Sequence, residues 1–285
     1  MADEMPYLTF LGGVHRVLQP RTYLEIGIRS GSSLEPSRAR SLGIDPAFNV
    51  KTPLQCQVTL ARTTSDEYFA RPNPLKPLGG KPADLAFIDG MHLFEFALRD
   101  FINVERNARW SSAVIFDDML PRKAEHAARD RHTRLWTGDV YKIVPVLRRY
   151  RPDLTLLLVD TAPTGLLMVL GLDPASTVLR DNYDAIIAEY VVPDPQNVPE
   201  SILRRDGAVD PAALLASPVW GALRRGRRPW ESRSHVLAEI DSALADPGAY
   251  RARRREARRK ALRVVRRAAK HSPVPLPRQF ARAGL

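Results

Sequence analysis

Three apolar segments of the chain end in residues that could bind a ligand. Residues 85–88 are followed by Asp89, and residues 113–116 are followed by Asp117 and Asp118. Residues 23–26 end in a turn that contains Gly27 and Gly31. In an open parallel sheet, ligands bind beyond the carboxyl ends of the strands, so these residues should meet at one crevice. Because carboxylate oxygens suit Mg²⁺, Mn²⁺ and Ca²⁺, the three aspartates predict a divalent-metal site.

A candidate general base lies close to these acids. His92 follows Asp89 by three residues, and an imidazole titrates near neutral pH. A divalent ion beside it could bind a substrate hydroxyl and lower its pKa. Asp100 is interpreted as a solvated or salt-bridged helix residue, and His126 and His132 are expected at the surface because their segment is rich in charge.

The glycine turn predicts a small polar ligand. Gly27 and Gly31 expose backbone N–H groups with no side chain in the way. Glu25 could accept a hydrogen bond from an amino group, whereas it would repel a pyrophosphate. Asp45 lies 20 residues after Glu25, where an acid typically binds ribose hydroxyls. Since the glycine spacing also departs from the dinucleotide fingerprint, the pattern favours an adenosine with a cationic amino-acid tail.

The candidate residues lie on segments that alternate along the chain between predicted strands and predicted helices. Apolar runs predict strands near residues 22–26, 41–45, 56–60, 83–89, 112–118, 154–160 and 166–172. Helices are predicted near residues 6–18, 31–40, 65–70, 93–108 and 139–150. Alternating strands and helices indicate an α/β fold, a Rossmann-like, doubly wound parallel sheet. The last two strands are joined too tightly for a crossover, so they must be antiparallel.

Composition narrows the class of protein. Hydrophobic residues make up 44% of the 285 residues, enough for one large core. No apolar run approaches the roughly 20 residues that span a bilayer. Cys56 is the only cysteine, which excludes an intramolecular disulfide and a cysteine-rich zinc site. Residues 1–4 are acidic where a signal peptide would be basic, so a cytoplasmic location is expected.

The net charge of +11 is unevenly distributed. Residues 196–285 hold 20 Lys and Arg against 8 Asp and Glu, whereas residues 1–195 hold 23 against 24. We therefore expect a ligand-binding domain over 1–195 and a basic, helical, partly disordered extension over 196–285. A helix over 251–270 could contact anionic lipid at the inner membrane surface or an acidic partner, and a solvated tail is the alternative. The lack of aromatic residues there disfavours nucleic acid.

In these motifs the chain resembles the class I S-adenosylmethionine (SAM)-dependent methyltransferases. Their first motif is an acid-x-Gly-x-x-x-Gly turn, which residues 25–31 match, and their second strand ends in a ribose-binding acid, as at Asp45. The resemblance implies the sheet order 3-2-1-4-5-7-6 with strand seven antiparallel. It also implies that Glu25, Gly27 and Gly31 hold the methionine end of SAM and that Ser65 and Asp66 contact the adenine.

The motif Asp89-Gly90-x-His92 and the later Asp117-Asp118 pair resemble a bacterial subfamily within that class. It includes macrolide-sugar and rhamnosyl O-methyltransferases and cephalosporin hydroxylase-type proteins. The resemblance covers residues 6–193 and implies Mg²⁺ held by Asp89, Asp117 and Asp118, with His92 as the base. The implied function is metal-assisted methylation of a hydroxyl on a sugar or glycosylated metabolite. A non-catalytic binding protein on this fold, a metal-independent N- or C-methyltransferase, and the oligomeric state all remain open.

Overall fold

The computed structural model describes residues 4–246 of the chain. Seven strands form one sheet: β1 (Thr22–Ile26), β2 (Arg40–Ile44), β3 (Val58–Ala61), β4 (Ala83–Ile88), β5 (Ala108–Phe116), β6 (Thr155–Val159) and β7 (Leu166–Leu170). Their order is β3-β2-β1-β4-β5-β7-β6, and β7 is antiparallel to both of its neighbours. The doubly wound sheet and its order, predicted from the sequence and from the resemblance, are confirmed.

The helices follow the strands along the chain. They are α1 (Tyr7–Leu18), α2 (Ser65–Phe69), α3 (Phe94–Arg106), α4 (Ile143–Tyr150), α5 (Val178–Asp181), α6 (Tyr183–Tyr190), α7 (Glu200–Leu203), α8 (Pro211–Ala216), α9 (Val219–Arg225) and α10 (Arg233–Ala245). Short 3₁₀ turns cover Lys76–Leu78, Ala124–Ala127 and Val140–Lys142. Within residues 4–246, none of these helices is long and apolar enough to cross a membrane.

The sheet is buried on both faces, and successive side chains of a strand enter opposite cores. In β1, Leu24 packs into one core and Tyr23 into the other; in β5, Val114 and Ile115 divide in the same way. Helices α2 to α7 contribute to the Leu24 core, whereas α1 and α8 to α10 contribute to the Tyr23 core. Helices on both faces leave the carboxyl ends of the strands free to form a site.

The helix predicted over 31–40 is wrong. Residues 31–36 form a series of turns instead, with Glu35 N–H donating to the Gly31 carbonyl at 2.9 Å. Pro36 has no N–H to continue a helix and disfavours the helical conformation of the residue before it. The serines at 30, 32 and 33 compete for backbone partners and further favour turns.

Part of the predicted basic extension packs directly against the sheet. Trp220 of α9 and Val236 of α10 are buried in the core that also holds Phe10 of α1 and Tyr23 of β1. The side chain of Arg227 is also buried, where it donates to the carbonyls of Leu18 and Gln19 at the end of α1. These contacts place residues 211–245 on one face of the sheet. The basic helix predicted over 251–270 lies outside the described residues.

Candidate functional site

The carboxyl ends of four neighbouring strands meet at one edge of the sheet. Ile26 is aligned with Ile44 on one side and with Ile88 on the other, and Ile88 is aligned with Phe116. The residues that follow these strand ends, Gly27, Asp45, Asp89 and Asp117, therefore lie side by side. Adjacent strands are about 4.8 Å apart, so the edge spans roughly 14 Å from β2 to β5. All four residues line a cavity of about 540 Å³, a volume typical of sites for small molecules.

The turn after β1 requires glycine for a steric reason. Gly27 has φ of +88°, and a Cβ there would lie 1.8 Å from the carbonyl oxygen of Asp89. The next two residues, Ile28 and Arg29, donate their backbone N–H groups to the Asp45 carboxylate at 2.9 and 2.8 Å. Asp45, the predicted ribose-binding acid, thus lines the cavity and also holds the glycine turn in place.

Glu25 lies under this turn and does not line the cavity. Its side chain is fully buried and accepts hydrogen bonds from Tyr23 at 2.7 Å and Ser33 at 2.6 Å. Burial raises the pKa of Glu25 to about 7, although both hydrogen bonds act in the opposite direction. Gly31 is also turned away from the cavity, because the space a Cβ would take borders Val50. Neither residue touches the cavity they were predicted to line.

Ser65 and Asp66, the predicted adenine contacts, do line the cavity at the start of α2. Asp66 is paired with Arg99 at 2.7 Å. Asp100 lines the cavity beside them; it is buried, accepts a hydrogen bond from Ser65 and has no partner for Oδ1. Burial raises the pKa of Asp100 to about 7. The prediction that Asp100 is solvated or salt-bridged is therefore wrong, since the inner face of α3 buries its side chain at the cavity wall.

The predicted metal-binding acids gather around His92. Its Nδ1 lies 2.7 Å from Oδ2 of Asp118, and its Nε2 lies 3.5 Å from Oδ1 of Asp89. One atom from each of these three residues lies within 4.8 Å of the other two, a spacing that a metal ion could bridge. Asp117 lies next to this group, but its Oδ1 accepts the backbone N–H of Asp118 at 2.8 Å. The predicted metal ligands were Asp89, Asp117 and Asp118. In the structure the three side chains close enough to share an ion are those of Asp89, Asp118 and His92, with Asp117 beside them.

Holding Asp89, Asp117 and Asp118 close together in their charged forms is electrostatically unfavourable. Burial and then the neighbouring carboxylates of Asp117 and Asp118 raise the pKa of Asp89 well above its usual range. The pKa of Asp117 is raised for the same two reasons, burial and the charge of Asp118. Like charges held close together disfavour ionisation, and a bound cation would relieve that repulsion. The donor set of carboxylates and one imidazole fits a divalent ion.

Backbone strain is concentrated at this cavity. Six described residues other than glycine have positive φ, and three of them, Arg29 (+46°), His92 (+57°) and Asp118 (+62°), line it. Such conformations are uncommon for residues with a Cβ, and they persist where the surrounding structure holds them. At His92 the constraint comes from Gly138, where a Cβ would lie 1.6 Å from the His92 carbonyl oxygen. His92 is thus positioned by a segment far from it in the chain.

Several residues at the cavity were not predicted from the sequence. Tyr7 lines it from the start of α1, which is tethered by its backbone N–H to the Ala162 carbonyl at 2.9 Å. Burial, followed by the charges of Asp117, Asp89 and Asp118, raises the pKa of Tyr7, so its hydroxyl remains a donor at neutral pH. No pattern near Tyr7 in the sequence indicates this role.

The segment between β5 and β6 forms the opposite wall. Arg131, Arg134 and Trp136 line the cavity, and the Trp136 ring stacks on His92 with 5.1 Å between ring centres. His126 was expected at the surface, but it is buried beneath this wall, whereas His132 is exposed as predicted. The charged segment between β5 and β6 therefore forms part of the site, because some of its side chains line the cavity while others face the solvent.

No protein-family model and no curated protein sequence matches the chain. Among solved structures, the O-methyltransferase TomG from Streptomyces achromogenes, in complex with SAM, is 19% identical over 59% of this chain and 80% of its own, with a TM-score of 0.43. The SAH-bound methyltransferase PaMTH1 from Podospora anserina is 12% identical over 59% and 78%, with a TM-score of 0.41. An O-methyltransferase from Bacillus cereus in complex with SAH is 14% identical over 57% and 80%, with a TM-score of 0.40. At these identities and scores, the function must be inferred from the residues of this chain.

Proposed function

We propose that the chain is a SAM-dependent O-methyltransferase, assisted by a divalent cation, that acts on a hydroxyl of a sugar or glycosylated metabolite. One observation carries the proposal: a single cavity joins the glycine turn and Asp45 at one end to the Asp89, His92 and Asp118 group at the other. The first part suits an adenosine with a cationic tail, and the second suits a hydroxyl that must lose a proton. The two parts are adjacent, because β1, which leads into the glycine turn, is the neighbour of β4, which ends at Asp89.

The residues at the β1 and β2 ends fit a sulfonium cofactor. Asp45 lines this part of the cavity next to the glycine turn, where a carboxylate can accept hydrogen bonds from a polar ligand. Asp45 would accept the ribose hydroxyls, and Ser65 with Asp66 would contact the adenine. Glu25 and Gly31, which lie off the cavity wall, would act by holding the turn. When bound, SAM supplies a methyl group that is already activated for transfer.

His92 is placed to take the proton of the acceptor hydroxyl. Its contact with Asp118 at 2.7 Å fixes the ring and favours a proton on Nδ1, which leaves Nε2 as the acceptor. Asp89, Asp117 and Asp118 would hold a cation, which supplies a lower hydroxyl pKa when bound. Since a nitrogen bound to a metal cannot accept a proton, His92 cannot be base and ligand through the same atom. Mn²⁺ affinity that survives His92→Asn, together with lost turnover, would support the base.

Isothermal titration of the full chain with SAM tests the cofactor. Replacing Asp45 with alanine removes the ribose acceptor and three hydrogen bonds from backbone N–H groups, so we expect affinity to fall at least tenfold, about 1.4 kcal/mol. Asp184→Ala, on the exposed surface of α6, is the matched control and should bind as the unmodified protein does. No SAM binding by the unmodified chain would contradict the proposal. Binding without turnover would favour a non-catalytic protein, and turnover that EDTA leaves unchanged would favour a metal-independent N- or C-methyltransferase.

The location and the basic extension remain part of this proposal. We propose a cytoplasmic protein whose residues 251–270 contact anionic lipid or an acidic partner. Co-sedimentation of the full chain with vesicles of phosphatidylglycerol, compared with neutral phosphatidylcholine, tests the lipid. Binding to neither would leave the acidic partner or the solvated tail.

A further inference from the structure

Two arginines on the cavity wall formed by the segment between β5 and β6 have no acidic partner among the described residues. Arg131 and Arg134 are exposed and line the cavity, and within residues 4–246 neither forms an ion pair or a hydrogen bond. Neighbouring arginines behave differently: Arg129 is held by Glu95 and Asp139, and Arg99 is held by Asp66. The two unpaired guanidinium groups are therefore free to bind an anion from the cavity.

These arginines lie on the acceptor side of the cavity. The guanidinium carbon of Arg131 is 5.7 Å from the Trp136 ring centre, and that ring centre is 5.1 Å from the His92 ring. Arg131 is therefore within about 11 Å of the candidate base. Arg29, the third arginine that lines the cavity, lies within the glycine turn between Gly27 and Gly31, at the cofactor end of the cavity. We assign Arg29 to the carboxylate of SAM, which leaves Arg131 and Arg134 for a different ligand.

The charges of the cavity would orient an anionic acceptor. The arginine wall attracts an oxyanion, whereas the end of the cavity with Asp89, Asp118 and His92 offers groups that suit a hydroxyl. A guanidinium binds carboxylate or phosphate through two parallel hydrogen bonds and so fixes direction as well as position. A molecule with a hydroxyl at one end and an oxyanion at the other would bind with its hydroxyl toward His92.

We propose that Arg131 and Arg134 bind an oxyanion of the acceptor, which is therefore an acidic hydroxy compound with a carboxylate or phosphate within about 10 Å of the methylated hydroxyl. This inference rests on the proposed methyltransferase function. It narrows the sugar or glycosylated acceptor to one that carries an acidic group. The Trp136 ring, between Arg131 and His92, would contact the part of the acceptor that joins its two ends.

The test follows the label from SAM into small molecules. The full chain is incubated with SAM that carries a deuterated methyl group and with a small-molecule extract of the organism that produces it, and the products are separated by anion exchange. We expect a labelled product that the exchanger retains. Loss of retention after phosphatase treatment identifies a phosphate monoester, and unchanged retention indicates a carboxylate or a phosphodiester.

The matched variants tie that product to the arginines. Labelling should fall at least tenfold in the Arg131→Gln, Arg134→Gln double variant, while Arg148→Gln, an exposed arginine of α4 outside the cavity, should behave as the unmodified chain. All of these proteins should bind SAM with the same Kd. A labelled product that is neutral, undiminished labelling in the double variant, or weakened SAM binding by it would overturn the oxyanion site. Normal SAM binding with no labelled product in any fraction would instead contradict the methyltransferase proposal and the acceptor with it.

Discussion

The buried carboxyl of Glu25 should make the protein less stable as the pH rises from about 5 to 8. In the folded protein the pKa of Glu25 is raised from its ordinary 4.5 to about 7, because burial disfavours the charged form. Between these values the folded state keeps a proton that the unfolded state releases. The free energy of unfolding therefore falls with rising pH across this window, and the loss is complete above pH 7.

The magnitude follows from the size of the shift. Each pKa unit corresponds to about 1.4 kcal/mol, so a shift from 4.5 to about 7 amounts to about 3 kcal/mol. Most of this, about 2 to 3 kcal/mol, is lost between pH 5 and pH 8. In Glu25→Gln the group does not titrate, and the amide can still pair with Tyr23 and Ser33. The variant should be close to the unmodified protein at pH 5 and more stable at pH 8.

Urea unfolding at pH 5, 6, 7 and 8 measures this difference. Glu35→Gln, on the exposed side of the following turn, removes the same charge without burial and should follow the pH dependence of the unmodified protein. The reasoning is refuted if Glu25→Gln and the unmodified protein lose stability in parallel over this range. That result would mean that Glu25 is ionised in the folded protein at pH 5.

Three further outcomes are expected. Gly138→Ala should reduce turnover at least tenfold by displacing His92. Gly80→Ala is the control and should keep turnover, because Gly80 has a similar φ of +70° and no neighbour within 4 Å of the added Cβ. Equal turnover in the two variants would contradict this role of Gly138. Asp118→Asn should weaken Mn²⁺ binding at least tenfold by titration calorimetry, and unchanged affinity would remove Asp118 from the metal site. Trp220→Ala should lower the free energy of unfolding of the whole protein by about 3 to 5 kcal/mol, because the ring is buried between α9 and the sheet. Unfolding in urea should remain a single transition. A second, separate transition would show that α9 unfolds independently.

The fold could be predicted because its signals are local. A strand buried on both faces is a continuous apolar run, as in residues 83–88, and its position does not depend on distant contacts. The hairpin of β6 and β7 followed from the short connection between two such runs. The prediction of a helix over 31–40 was wrong because Pro36 and the adjacent serines favour turns over a continuous helix.

The site was only partly predictable. Asp45, Asp89 and Asp117 come directly after strands, so the register of the sheet brings them to one edge. Asp118 is turned toward His92 by a positive φ that nothing in the sequence indicates. The prediction for Asp100 was wrong, because a charged residue on an amphipathic helix was expected to face solvent and instead is buried at the cavity wall.

The amino-acid sequence by itself determined which segments form strands, that the last two strands are antiparallel, and which acids end the strands, because burial and periodicity are properties of short segments; the order of the strands came from the family resemblance. The tertiary structure decided which side chains face each other across the cavity. It brings Tyr7 from α1, and Arg131 and Trp136 from a loop, to the acids of β4 and β5. It also places Glu25 beneath the turn that it was expected to serve. Contacts between segments far apart in the chain depend on how helices and loops pack on the sheet, and that packing is not encoded in the pattern of any one segment.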